Sequence, residues 1–236
     1  MKQRMSDNQY IHGMFKEEIK NRFLCTVTID GSDVLCYIPS SCRLSNFLDM
    51  PGREVLLAPV ASSTARTRYS VYAVKVGRRF IPINLSNINA VIYRELHRSF
   101  FAFLGKRKNV KKEALVNGYK SDLFIEDSQT IIEIKCILSF DDKALFPTVF
   151  SERAINQLKQ ISTLLEDGYK VCYLFISLNP SVKRIFINPS IDQYYQMFSN
   201  CLAKGMQVRG FSVGFDKDEI HVKSSINVSL RMEPEE

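Results

Sequence analysis

The chain has 236 residues, 45% of them hydrophobic, enough for one large or two small domains with a real core. Lysine and arginine total 32 against 25 acidic residues, and the formal net charge of +7 favours an anionic partner. The opening MKQRMSDNQY has no apolar h-region, and no apolar run is long enough to span a bilayer. The expectation is therefore a cytoplasmic protein with neither a signal peptide nor a membrane partner.

Residues 1–20 are polar and mixed in charge and read as an N-terminal extension. From Arg22 the pattern turns to β: FLCTVTID, a Gly31-Ser32 turn and VLCYIP make a hairpin. RLSNFLDMPG turns at Pro51-Gly52. EVLLAPVA and YSVYAVKV are further strands around the polar segment SSTARTR, and Gly77 leads into RRFIPIN. Several short strands with turn signals over about 70 residues predict a small barrel of the OB type over 21–86. Arg66, Arg68, Arg78 and Arg79 could give it a basic face, with ordinary solvated arginines as the plainer alternative. Tyr37, Tyr69 and Tyr72 are candidates for base stacking, against simple barrel packing.

Residues 87–104 carry apolar residues at helical spacing (Ile88, Val91, Ile92, Leu96, Phe100, Phe103, Leu104) and predict a connecting helix. The densest basic run follows: Lys106, Arg107, Lys108, Lys111 and Lys112 suit phosphate contact or a solvated loop, and their place just before a charged hairpin favours phosphate.

That hairpin, KSDLFIEDSQTIIEIKC, places two β-rich runs around the turn Glu126–Gln129. Side chains of a strand alternate, so Glu133 and Lys135 share a face. If Asp122 pairs opposite them, two carboxylates and an ammonium converge. Two carboxylates can hold a hard divalent cation, and the lysine can orient water or stabilise phosphate charge. A same-face salt bridge is the plainer alternative. Ile131, Ile132, Ile134, Ile137 and Leu138 around the charges argue against a solvated strand, because unpaired charge is costly there. Glu113, nine positions before Asp122, is a third acid near this site.

After the loop FDDKALFP, Ser151 is a fair N-cap for a helix ending at Gly168. Its apolar stripe is Ala154, Ile155, Leu158, Ile161 and Leu165, and Glu152, Arg153 and Gln157 lie near its start. KVCYLFISL reads as a buried parallel strand. KRIFI, the helix IDQYYQMFSNCLAKG, then MQVRGFSVGF and EIHVKSSINVSL complete an α/β layer with helices covering a mixed sheet. Residues 231–236 form an acidic tail. The six cysteines show no CxxC or zinc spacing and read as reduced core residues, and the three histidines are too dispersed for a metal cluster.

The hairpin, the helix opening at Ser151 and the strand order together resemble the PD-(D/E)xK nuclease superfamily. More closely, the chain resembles the sugar fermentation stimulation protein A (SfsA) family over about residues 20–215. In the front half the resemblance rests on RFLCTVTID, CRLSNFLDMPGREVLL and INLSNINAVIYREL. In the back half it rests on Glu113 through Asp122, IIEIKC, FPTVFSERAINQLKQI and VCYLFI.

The resemblance implies an OB-like domain followed by a nuclease-like domain over 105–230. It places Asp122, Glu133 and Lys135 at the nuclease core positions, with Glu113 as the acid ahead of the aspartate. Glu152, Arg153 and Gln157 fall on the helix that lines the site. The chain departs from the family pattern at Lys120, where arginine is usual, at Ala154 for glycine and at Gln157 for histidine.

The expected activity is a metal-dependent DNA nuclease, a hydrolase. Asp122, Glu133 and the Ile134 carbonyl would hold Mg²⁺ or Mn²⁺, Lys135 would act beside them, and Glu113 would complete a second metal site or the outer shell. The rival is a non-catalytic DNA-binding protein regulating sugar-metabolism genes. RNA is not distinguished from DNA as a substrate. A homodimer is compatible with a double-strand cut, which needs two sites.

Overall fold

The computed structural model describes residues 10–21, 23–39, 43–46, 48–62, 64–83, 88–216 and 219–230. The expected acidic tail, the first nine residues of the expected extension, and Cys42 lie outside the described residues. The described chain divides into two compact units, one of residues up to 88 together with 214–221, the other of 89–213 with the residues from 222 on. The stretch 214–221, expected in the domain of 105–230, groups with the first unit, and the stretch expected as a connecting helix groups from residue 89 on with the second.

The first unit holds β1 (Ile11–Glu18), β2 (Leu24–Ile29), β3 (Ser32–Tyr37), β4 (Glu54–Pro59), β5 (Tyr69–Val76) and β6 (Arg79–Pro82). They run in the order β3-β2-β1-β4-β5-β6, and β3 also pairs with β5. Strands β1 to β5 thereby close into a five-stranded OB barrel, with β6 extending from β5, and closure removes the exposed edges that a small sheet would otherwise present. The β2–β3 hairpin turns one residue earlier than expected, at Asp30-Gly31, where φ is +47° and +78°, the left-handed pair that a two-residue hairpin turn requires. Period-two alternation puts Cys25, Val27, Cys36, Val55, Leu57, Val71 and Ala73 inside.

Residues 11–18, expected in the extension, instead form β1 in the middle of the barrel sheet, between β2 and β4. The period-two signal there is weak because the inward positions are Gly13 and Phe15, so only one carries a large apolar side chain. Gly13 has a steric reason: a Cβ at this position would lie 2.5 Å from Val27 Cγ1, so glycine lets β1 approach β2.

α1 (Ile88–Glu95), which belongs to the second unit from Asn89 on, is followed by a short 3-10 turn over Ser99–Leu104. The expected single helix over 87–104 is thus two pieces, and Arg98 between them is extended, at φ −73° and ψ 159°. Arg107 satisfies the carbonyls freed at the break. Its guanidinium donates to the oxygens of Leu96, of His97 at 3.4 Å, of Arg98 at 3.2 Å and of Gly105 at 2.7 Å.

There follow β7 (Val110–Lys112), β8 (Leu115–Val116), β9 (Tyr119–Lys120), β10 (Leu123–Ile125), β11 (Thr130–Ile137), β12 (Lys143–Phe146), α2 (Glu152–Glu166), β13 (Lys170–Ser177), β14 (Arg184–Ile187), α3 (Asp192–Ala203), β15 (Gln207–Asp216) and β16 (Glu219–Ser229). Eight of these strands form a mixed sheet in the order β12-β14-β16-β15-β13-β11-β10-β7, while β8 and β9 make a separate small hairpin. β11, β13 and β15 are parallel, and β10 is antiparallel to β11. β12, expected as loop, is a four-residue edge strand paired with β14, too short for its alternation to stand out in the sequence.

The Ser151 hydroxyl caps α2 by accepting from the Ala154 N–H at 3.2 Å. Ile155, Leu158, Ile161 and Leu164 form the buried stripe of α2 and pack with Tyr194, Phe198 and Cys201 of α3 onto Ile131, Ile137, Val171, Tyr173 and Phe175 of the sheet. Gly168, at φ +87°, ends the α2 segment as expected. Among the described residues no helix is long and apolar enough to cross a membrane.

Strands β15 and β16 approach closely at Gly210, where an added Cβ would lie 2.8 Å from Val228 Cγ2 and 2.9 Å from the Ile226 carbonyl oxygen. Backbone cannot yield as a side chain does, so Gly210→Ala is expected to destabilise the second unit by about 1–3 kcal/mol. Urea denaturation followed by circular dichroism checks this, with an unchanged midpoint contradicting it.

Candidate functional site

β11 carries the site. On its helix-covered face the residues read Ile131, Glu133, Lys135, Ile137, so two charged side chains interrupt a stripe whose ends belong to the apolar core. The expectation that Glu133 and Lys135 share a face holds, since Lys135 Nζ donates to Glu133 Oε1 at 2.7 Å. Glu133 is only 3% exposed, and a carboxylate so deep in an apolar layer needs full compensation. Three donors supply it: Lys135, Gln157 Nε2 of α2 at 2.6 Å, also on Oε1, and the Tyr119 hydroxyl of β9 at 2.5 Å on Oε2. The Gln157 carbonyl oxygen accepts in turn from Lys135 Nζ at 2.5 Å. The Lys135 ammonium also lies 5.7 Å from the centre of the Tyr173 ring, in cation–π range.

Asp122 stands one residue before β10, whose pairing to β11 ends at Leu123 opposite Ile132. Beyond that point the β11 backbone would lack a partner on this side, and Asp122 provides one: its Oδ2 accepts the Ile134 N–H at 2.8 Å. Its Oδ1 accepts from Asn89 Nδ2 of α1 at 2.8 Å. Burial, and then the negative charge of Glu133, push the Asp122 carboxyl above its usual range, against the pull of the Ile134 N–H, Lys135 and Asn89. Two carboxylates that repel one another, Glu133 buried and Asp122 half-buried, form a donor set that a hard cation would relieve. In an extended strand the N–H and C=O of one residue point to the same edge. The Ile134 carbonyl therefore faces the edge that Asp122 occupies, past the end of β10. Two oxygen anions and a main-chain carbonyl fit Mg²⁺ or Mn²⁺, which keeps several waters of its own.

The remaining expected site residues divide. Gln157 joins the cluster. Glu113 does not: its N–H pairs with the Asp122 carbonyl at 3.0 Å, but its side chain, 69% exposed, forms an ion pair at 2.6 Å with Lys120, itself 67% exposed. The left-handed backbone at Glu113, φ +49°, interrupts the strand alternation that would have aligned its side chain with the site. Among the described residues no group of three or more His, Cys, Asp or Glu gathers to hold a metal. Glu152 and Arg153 are exposed on the first turn of α2 and take no part in the network, because they lie outside the buried stripe that faces the sheet.

The basic run is not a uniform free face. Arg107 is directed at main-chain carbonyls, Lys106 pairs with Asp127 at 3.0 Å, Lys111 pairs with Glu126, and Lys112 sits 4.1 Å from the centre of the Tyr93 ring. Lys108 is exposed without a side-chain partner among the described residues, as are Arg66 and Arg68 in the first unit. Tyr37 stacks on Phe23 at 6.3 Å between centroids, and Tyr72 on Tyr10 at 4.7 Å.

Sequence reasoning did not single out Tyr119 or Asn89. Tyr119 is buried, and its burial, with the charge of Glu133 next, drives its hydroxyl well above the usual tyrosine range, so it remains a donor. It sits on a two-residue strand with no periodicity to expose it. Asn89 reaches Asp122 from 33 positions away along the chain.

Because Glu133 is so deeply buried, removing its cation leaves an uncompensated charge. Lys135→Met is expected to cost about 3–5 kcal/mol, and Glu133→Gln/Lys135→Met to recover much of that loss. Thermal denaturation of the two variants tests this; equal losses would show that the pair is not coupled.

Comparison with known proteins places this geometry in a family. The model described as "SfsA N-terminal OB domain" matches residues 19–83, and that described as "Sugar fermentation stimulation protein RE domain" matches residues 86–219. A sugar fermentation stimulation protein homolog from Caldanaerobacter subterraneus subsp. tengcongensis is 27% identical over 94% of this chain and 98% of its own length. Another from Desulfitobacterium hafniense is 25% identical over 89% of this chain and 92% of its own. The solved structure of Pyrococcus furiosus SfsA in complex with Ca²⁺ has the same fold, with a TM-score of 0.78 at 20% identity, covering 97% of this chain and 99% of that one. The chain belongs to the sugar fermentation stimulation protein (SfsA) family.

Proposed function

We propose that the protein is a metal-dependent nuclease of the PD-(D/E)xK type that hydrolyses phosphodiester bonds in DNA. The observation that carries this reading is the convergence of Asp122, Glu133 and Lys135 at the point where β10 stops covering β11. Asp122, Glu133 and the Ile134 carbonyl would hold Mg²⁺ or Mn²⁺; that a Pyrococcus furiosus relative was solved with Ca²⁺ supports a fold that accepts a hard divalent cation. When bound, the cation supplies polarisation of the scissile phosphate and a more acidic water.

The chain's own residues do the rest. Lys135 brings the positive charge of the cluster, suited to offset charge that builds on the phosphate during attack. Gln157 holds Lys135 and Glu133 together through its two amide atoms, which fixes the distance between cation and anion. Asn89 and the Ile134 N–H fix Asp122. Lys108, Arg66 and Arg68 offer charge to the nucleic-acid backbone, and the barrel would track a strand. A cytoplasmic location suits the free state of the five described cysteines. A double-strand cut would require two copies of this single site.

The competing reading, a DNA-binding regulator without catalysis, draws on one observation: every carboxylate oxygen of Asp122 and Glu133 already has a partner within the chain. Incubation with Mg²⁺ or Mn²⁺ and single-stranded DNA, double-stranded DNA and RNA separates the two. The wild type is expected to cleave DNA. Asp122→Asn, which keeps the oxygen for the Ile134 N–H, is expected to lose cleavage while binding DNA as tightly or more tightly. Cleavage of RNA alone would reassign the substrate. DNA binding without cleavage by the wild type would favour the regulator.

A further inference from the structure

Resting on the metal reading above, we propose that Tyr119 is a positioning residue that orients the Glu133 carboxylate for the cation. Glu133 is gripped from both of its oxygens: Lys135 and Gln157 meet at Oε1, and among the described residues the Tyr119 hydroxyl alone holds Oε2, at 2.5 Å. Two oxygens held from different directions define the plane of a carboxylate. With Oε1 alone held, the group can turn about its terminal bond, since torsions of that kind are broad. Oε1 already accepts two hydrogen bonds, whereas Oε2 accepts one and keeps a further lone pair, so the Tyr119 contact orients the carboxylate while leaving an acceptor position for the cation.

The element that delivers Tyr119 is built around that contact. The β8–β9 hairpin is not part of the eight-stranded sheet. Leu115 at its start is 74% exposed, whereas Val116 and Tyr119 are its buried side chains. Its Asn117-Gly118 turn has φ of +45° and +81°, and Asn117 Nδ2 donates at 2.7 Å to Oδ2 of Asp167. Asp167 is the C-terminal cap of α2, the helix that supplies Gln157. The hairpin tip and one end of α2 are thus tied together, so two of the three donors to Glu133 are braced against each other. Residues standing behind a metal ligand in this way typically contribute ten- to hundredfold in metal affinity.

The test is titration of the full chain with Mn²⁺, followed by calorimetry and by the electron paramagnetic resonance signal of free Mn²⁺. Wild type, Tyr119→Phe and Asn117→Ala are compared, with metal-free thermal denaturation run alongside. Tyr119→Phe, which keeps the ring and loses only the hydroxyl, is expected to bind Mn²⁺ about tenfold more weakly. Asn117→Ala, which leaves every donor to Glu133 in place, is expected to weaken binding by a smaller factor. A lowered melting temperature with wild-type Mn²⁺ affinity in Tyr119→Phe would make the tyrosine a packing residue and overturn the proposal. Should that variant fail to fold, wild-type affinity in Asn117→Ala would overturn it instead. Absence of Mn²⁺ binding by the wild type would remove the metal reading itself, and this inference with it.

Discussion

A carboxylate inside an apolar layer is the constraint around which the second unit is built. Glu133 and Lys135 lie on β11 between two inward residues, Ile131 and Ile137, that belong to the core. Leaving such a group without partners costs several kcal/mol, and the stability of a whole domain is only about 5–15 kcal/mol. The fold answers with one donor from the same strand, one from a helix and one from an added hairpin. Apolar residues of similar size at these positions would be as stable or more so, which makes the arrangement costly as a device for stability alone. That cost is the physical reason for reading the cluster as a working site.

The surrounding architecture follows from the same requirement. β11 is parallel to β13, and the connection between them brings α2 across the face where Glu133 points, so Gln157 arrives along with the apolar stripe of Ile155, Leu158 and Ile161. β10 is short. Its end frees one stretch of β11 backbone, and Asp122 takes up the Ile134 N–H there instead of another strand. The opening in the ladder past the end of β10 thus coincides with the place where Asp122, Glu133 and Lys135 come together.

Much of this was legible in the sequence, and the reason differs from residue to residue. Asp122, Glu133 and Lys135 could be found because strand alternation is rigid over short distances and the polar turn between the two apolar runs is unmistakable. The α2 boundaries could be found because Ser151 and Gly168 are strong local signals. β1 was hidden because Gly13 occupies an inward position where a larger side chain would have shown the alternation. Glu113 misled because spacing along the chain ignores backbone handedness, and the left-handed conformation there sends its side chain to Lys120. Arg107 misled because charge composition does not distinguish a guanidinium facing solvent from one satisfying the end of a broken helix. Tyr119 and Asn89 lay beyond sequence reasoning because their roles exist only through contacts between distant segments.

Joint binding of a divalent cation by Asp122 and Glu133 is the proposal on which the rest depends. It is tested most directly by anomalous X-ray scattering from crystals of this protein grown with Mn²⁺. The expected result is an anomalous peak within about 2.0–2.3 Å of a carboxylate oxygen of Asp122 and of one of Glu133, with the Ile134 carbonyl close by. A peak elsewhere on the molecule, or none at this site under saturating Mn²⁺, would contradict it.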